Sequence, residues 1–172
     1  SLQRTVSLAS THRLGFYADL EAPMSAWLQA NQGKAADVLD AYKDGLEVIR
    51  RTGNLVTIAV QLAGLARCYA MAGRFSEAMD TIDKTIVEAT GCEENYVLPF
   101  LHIAKAECAL CATPPDHAEA AVSFQRAIDI AHAQSNRAWH LRAATGLADL
   151  WHVQGRDAEA RAVLAPIYDG FT

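Results

Sequence analysis

The 172-residue chain is poor in the residues that build most other fold classes. Aromatics make up 8% and β-branched side chains are sparse, which argues against a sheet protein. Four cysteines in a chain of this length do not form a disulfide framework and read as reduced, cytoplasmic thiols. No apolar run reaches the ~18–20 residues of a membrane span, and no signal peptide opens the chain. Basic stripes are missing too. The net charge is −5 and the only adjacent basic pair is Arg50-Arg51, so direct binding to nucleic acid is not expected. Prolines number five, and three of them (Pro23, Pro99, Pro166) fall within helix-like patterns, where each predicts a start, kink or end.

What the chain does have is alanine, the best helix former, within a 51% apolar composition. It also has a period. Ala26, Ala66, Ala106 and Ala148 recur every 40 to 42 residues. Val38, Ala78, Ala120 and Ala160 form a second slot, and Tyr42, Ile82, Phe124 and Leu164 follow it four residues later. A period in the 20–50 range marks stacked supersecondary units, none of which buries its apolar face alone. Paired alanines let the two helices of a unit approach closely.

The periodicity predicts eight helices, over about 16–31, 34–51, 55–72, 75–89, 94–111, 116–133, 137–154 and 156–168. Leu2, Val6 and Leu8-Ala9 suggest the end of a preceding helix. Gly33, Gly73 and Gly155 lie seven residues after the small slot, where a left-handed residue ends a helix. The third repeat uses Thr113-Pro114-Pro115-Asp116 instead, with Asp116 as the next N-cap. Arg51-Thr52-Gly53-Asn54, Thr90-Gly91 and Ser135-Asn136 read as turns between repeats. The organisation is therefore one helical-repeat domain over 1–172, with repeats at about 14–53, 54–91, 92–135 and 136–170. The chain opens on Ser1 rather than methionine and closes on Gly170-Phe171-Thr172, so it reads as a fragment of a longer protein. Cut ends would expose apolar surface, favouring self-association or fraying.

Repeat two contains Leu62, Leu65-Ala66, Tyr69, Gly73, Glu77-Ala78 and Ile82, and repeat four Leu147-Ala148, Trp151, Gly155, Glu159-Ala160 and Leu164. This resembles the tetratricopeptide repeat. It departs from that unit in its longer period, in Ser25 and Gln29 of repeat one, and in His102 and Lys105 of repeat three. The resemblance implies an all-α fold: about four helix pairs in a right-handed α-α superhelix whose first helices line the concave side. A narrower likeness runs through Ser123–Ile128, Arg142–Ala148, Gln154-Gly155-Arg156 and Ala162–Tyr168. These stretches look like the C-terminal helical region of large bacterial signalling ATPases, of the nucleotide cyclase or winged-helix transcriptional regulator type. That likeness implies a regulatory arm. It carries over no ATP site, because no Gly-x-x-x-x-Gly-Lys-Ser/Thr loop is present.

Candidate chemistry is thin. Cys108-x-x-Cys111 has redox or zinc spacing but lacks a second ligand pair, so both read as small hydrophobes on the fifth helix. No His-Glu-x-x-His or Gly-x-Ser-x-Gly motif occurs, and Glu93-Glu94 complement a helix dipole. Asp149 and His152 share a helix face as a solvated pair, and His102 reads as a core histidine. No catalytic residue, metal site or cofactor is expected.

The residue after each small slot is expected on the concave face: Trp27, Arg67, Glu107 and Asp149, with His152 one turn on. Pro23, Ala63, Ile103 and Thr145, and Ala30, Ala70 and Leu110, would flank them as walls. Two functions fit. The first is a non-catalytic arm binding a protein, a peptide or another domain of the same chain. The second is a small-molecule effector sensor, favoured if Trp27, Arg67 and Glu107 line a pocket.

Overall fold

A computed structural model describes residues 20–52, 57–91 and 95–169. Among these the fold is all-α, with eight helices packed in adjacent pairs and no strand. They are α1 (Glu21–Gln29), α2 (Leu39–Thr52), α3 (Ile58–Met71), α4 (Phe75–Gly91), α5 (Leu98–Leu110), α6 (His117–Ala133), α7 (Arg137–Val153) and α8 (Asp157–Asp169). A π-helical turn, Ala30–Lys34, follows α1, and a 3-10 turn, Asn95–Val97, leads into α5. The expected helix ahead of Thr11 and the Glu93-Glu94 pair lie outside the described residues.

The expected stop and start signals operate. Gly33, Gly73 and Gly155 have φ of 86°, 76° and 74°, the left-handed region that a Cβ disfavours. After two of them the turn is built the same way twice. The N–H groups of Arg74 and Arg156 reach back to the carbonyls of Tyr69 and Trp151, closing α3 and α7 in a Schellman pattern. The two guanidiniums then stack 4.9 Å from the Tyr69 and Trp151 ring centres and pair with Glu77 and Glu159. The Glu of the Glu-Ala slot thus fastens the turn while its Ala packs inward. In the third repeat Asp116 accepts from the Glu119 N–H as N-cap, and Asn136 does the same for Trp139 at α7. A Cβ at Gly155 would meet no atom within 4 Å, so any cost of Gly155→Ala is conformational. A loss of about 1–2 kcal/mol is expected in chemical denaturation, with Gly155→Asn milder.

The small slots carry the packing. Ala26, Ala66, Ala106 and Ala148 are all buried, and so are Val38, Ala78, Ala120 and Ala160 across from them. Of the expected groove walls, Pro23, Ala30, Ala63 and Ala70 are buried core instead, whereas Ile103, though buried, lines a cavity as expected. A helix packed between neighbours on both sides buries more than one face. Two clusters make the core. One runs from α1 into α5, and the other joins α5 to α8 around Phe124 and Leu147.

Each helix touches the next, and the first helices of successive pairs also adjoin: α1 with α3, α3 with α5, and α5 with α7. Side chains on these four helices are thereby brought side by side. Among the described residues no helix is long and apolar enough to cross a membrane.

Candidate functional site

The first helices bring three charged side chains into one line. Arg67 on α3 places Nη2 2.9 Å from Glu107 Oε2 on α5. Arg142 on α7 places Nη2 3.4 Å from Glu107 Oε1. Glu107 Oε2 is fully buried, and the close Arg67 contact is not aligned as a hydrogen bond, so charge rather than geometry compensates it. Arg67 and Glu107 are about three-quarters covered (26% and 29% exposed), whereas Arg142 is 44% exposed and also lies 5.4 Å from the Trp139 ring centre.

A cavity opens on either side of this line. One, of about 400 Å³, is lined by Trp27, Arg67, Phe100 and Arg142, together with Gly64 and the Tyr42–Gln61 pair. The Tyr42 hydroxyl donates to the Gln61 carbonyl at 3.1 Å and lies 3.3 Å from Gln61 Oε1. The other, of about 320 Å³, is walled by Glu107, Leu110, Phe124, Arg142 and Asp149. Arg142 belongs to both.

Four of the five residues expected on this face are therefore gathered at the two cavities: Trp27, Arg67, Glu107 and Asp149. His152 is not. It turns into the α7–α8 connection, where Nδ1 lies 2.6 Å from Asp157 Oδ1, so its partner is Asp157 rather than Asp149. At the last turn of α7 the nearest carboxylate is the one that opens α8. Arg142 and Phe100 were missed. Both occupy the slot six residues before the small alanine, as does Val60, and all three line the larger cavity. The slot was readable from the repeat register, but its three residues share no chemistry.

Cys108 and Cys111 part company. Cys108 is buried, and its thiol is pushed up to about 12 by that burial, with Cys111 nearby adding to it. Cys111 is exposed at the α5 C-terminus, so it is not on the apolar face as expected. Cys68 is likewise buried, its thiol pushed up to about 11 by desolvation. Thiolate chemistry is suppressed at both buried sites. Among the described residues no three His, Cys, Asp or Glu side chains cluster to hold a metal.

The odd residues of repeat three are explained on the other side of α5. Lys105 bridges Asp83 on α4 (2.8 Å) and Glu119 on α6 (3.0 Å). Burial works against its charge, but the two carboxylates prevail and raise its pKa. His102, one turn earlier, is pulled down to about 4 by burial first and by Lys105 and Arg126 next, against weaker opposing pulls from Asp83 and Glu119. Above the ordinary value of 6.5 it is neutral folded or unfolded, whereas below that the unfolded chain takes the proton first. Stability should therefore fall as pH drops from about 6.5 to about 4. After allowance for solvent screening, the His102 share at pH 5 is about 1–2 kcal/mol. Urea titrations at pH 7.5 and 5 would show a smaller pH effect in His102→Gln than in the parent chain.

No protein-family model matches the chain. A search of curated proteins finds an uncharacterized protein of Rhizobium meliloti (strain 1021), 24% identical over 153 residues. The match covers 89% of this chain but only 15% of that protein's length.

Proposed function

We propose that this chain is a non-catalytic interaction and regulatory arm, a tetratricopeptide-like right-handed superhelix with its first helices on the concave side. Three features support that architecture: the 40–42 residue register, the repeated Gly-Arg-x-x-Glu turn and the adjoining first helices. The arm belongs to a bacterial signal-transducing or transcription-regulating ATPase, the parent that the narrower sequence likeness suggests. A similar stretch within a much longer bacterial protein is in keeping with that placement. The partner is a protein or peptide, or another domain of the same chain, met in the cytoplasm.

The observation that carries the reading is the Arg67–Glu107–Arg142 line between two cavities on one face. Charges arranged with apolar recesses on either side set register and partner choice, while the recesses supply affinity. The test is capture from a bacterial lysate, with captured proteins identified, comparing the parent chain with an Arg67→Glu, Glu107→Lys double variant. One partner held by the parent and lost by the double variant is the expected result. Equal capture by both would move the site off this face, and no capture would favour the second reading.

That second reading is a small-molecule sensor. It is favoured by one observation: Trp27 and Arg67 share a cavity of about 400 Å³, within the size range of ligand sites. Glu107 lines the neighbouring cavity, so the expected three-residue pocket is realised in two of its members.

A further inference from the structure

The larger cavity has an unusual polar inventory. Its apolar wall is broad, with Met24, Trp27, Val60 and Phe100 contributed by three helices. Set into it are Arg67 and Arg142, which can only donate and are always charged. Gln61 and the Tyr42 hydroxyl are its neutral groups; the hydroxyl proton is spent on Gln61, whose Oε1 lies 3.3 Å away, so the charged groups in the wall are all donors. Trp27 adds an indole N–H, a donor only. No carboxylate lines this cavity, because Glu107 lies in the wall of its neighbour.

A ligand seated here must therefore bring acceptors, negative charge and an apolar body. The charge count narrows it further. Glu107 compensates one of the two guanidiniums from behind, so the pair presents a net charge of one. A monoanion balances that, whereas a phosphate dianion would be left in excess. The planar fork of a guanidinium also matches a carboxylate edge to edge. Arg142 is the more open member: it is 44% exposed, and its nearest Glu107 oxygen is 3.4 Å away.

Building on the sensor reading, we propose that this cavity is a binding site for a small organic carboxylate with a flat apolar body. The carboxylate lies against Arg142 and Arg67, and the apolar part lies between Trp27 and Phe100. Such a ligand would bridge α1, α3, α5 and α7, the helices of all four repeats, and so tie the stacking of the array to the ligand's presence.

The probe is 4-phenylbutyrate, titrated into the whole chain by calorimetry, beside 4-phenylbutan-1-ol and inorganic phosphate. The acid should bind at least about tenfold more tightly than the alcohol or phosphate, as expected for a charge-assisted contact. Arg142→Gln should weaken the acid by about tenfold and leave the alcohol unchanged. Arg142 is exposed, so this variant is expected to fold, and circular dichroism checks it. A second variant, Arg67→Gln with Glu107→Gln, removes one guanidinium fork at unchanged net charge and leaves no buried charge alone, so it should weaken the acid, but by less than Arg142→Gln. Equal binding of acid and alcohol would overturn the carboxylate while leaving a cavity for neutral ligands. Unchanged acid binding in both variants would also overturn it, and no binding of any probe would remove the sensor reading with it. Partner capture is measured without these probes, so the interaction reading stands or falls separately.

Discussion

Phe124→Ala should lower the unfolding free energy by about 3–5 kcal/mol, the usual cost of emptying a buried aromatic site. Phe124 is 3% exposed at the centre of the second core cluster. The more telling result concerns its neighbour on α7. A Cβ at Gly146 would come within 2.5 Å of the Phe124 ring. Gly146→Ala should therefore destabilise by about 1–2 kcal/mol, because overpacking outweighs the ~1 kcal/mol that alanine gains in a helix. The same fit recurs 82 residues earlier, where a Cβ at Gly64 would come within 2.1 Å of the Tyr42 hydroxyl. In the repeat between them the equivalent positions hold Ile82 and Ala104, both fully buried. An aromatic ring is answered by glycine, and the smaller isoleucine by alanine. Phe124→Ile combined with Gly146→Ala copies the middle repeat into the third. The double variant should be more stable than the two single losses predict, with a coupling of about 1–2 kcal/mol by denaturant titration. Strict additivity would mean that the ring and the glycine do not share one space.

That pairing spans 22 residues, from the second helix of one unit to the first helix of the next. Nothing within either helix announces it, and it becomes visible only once α6 is known to lie against α7. The helices themselves were legible because their ends carry local chemistry: left-handed glycines at 33, 73 and 155, and side-chain caps at Asp116 and Asn136. The alanine slots were legible because close helix approach tolerates little else. The site was half legible. Counting one residue on from each small slot found Trp27, Arg67, Glu107 and Asp149. Counting six back, along the same helix face at i, i+3 and i+7 spacing, would have found Arg142 and Phe100. His152 was misplaced because its position closes a helix, and there the connection to α8 supplies the partner. Lys105 departs from the chain's own apolar register for a reason outside its own helix, namely the carboxylates of Asp83 and Glu119 on either side.

Glu107→Lys should be the most damaging charge change along the first helices. It removes the carboxylate that stands between Arg67 and Arg142 and replaces it with a third cation. Loss of the part-buried pair and the new repulsion together are expected to cost about 2–3 kcal/mol at low salt, below the ~4 kcal/mol that Coulomb's law allows a single close pair near a surface. The loss should shrink as salt rises, because Arg142 is open to screening. Glu107→Gln isolates the first part: it should cost less and depend less on salt. Adding Arg67→Glu to Glu107→Lys restores an opposite-charge pair at the same two positions and should recover more than half of the loss. If it does, the double variant keeps the fold while changing the order of charges along the first helices from plus, minus, plus to minus, plus, plus. Loss of a partner by that protein then reports on recognition rather than on unfolding. If denaturation shows no recovery, the Arg67–Glu107 pair does not hold α3 to α5 through charge. The geometry of the line would then rest on the alanine packing beneath it.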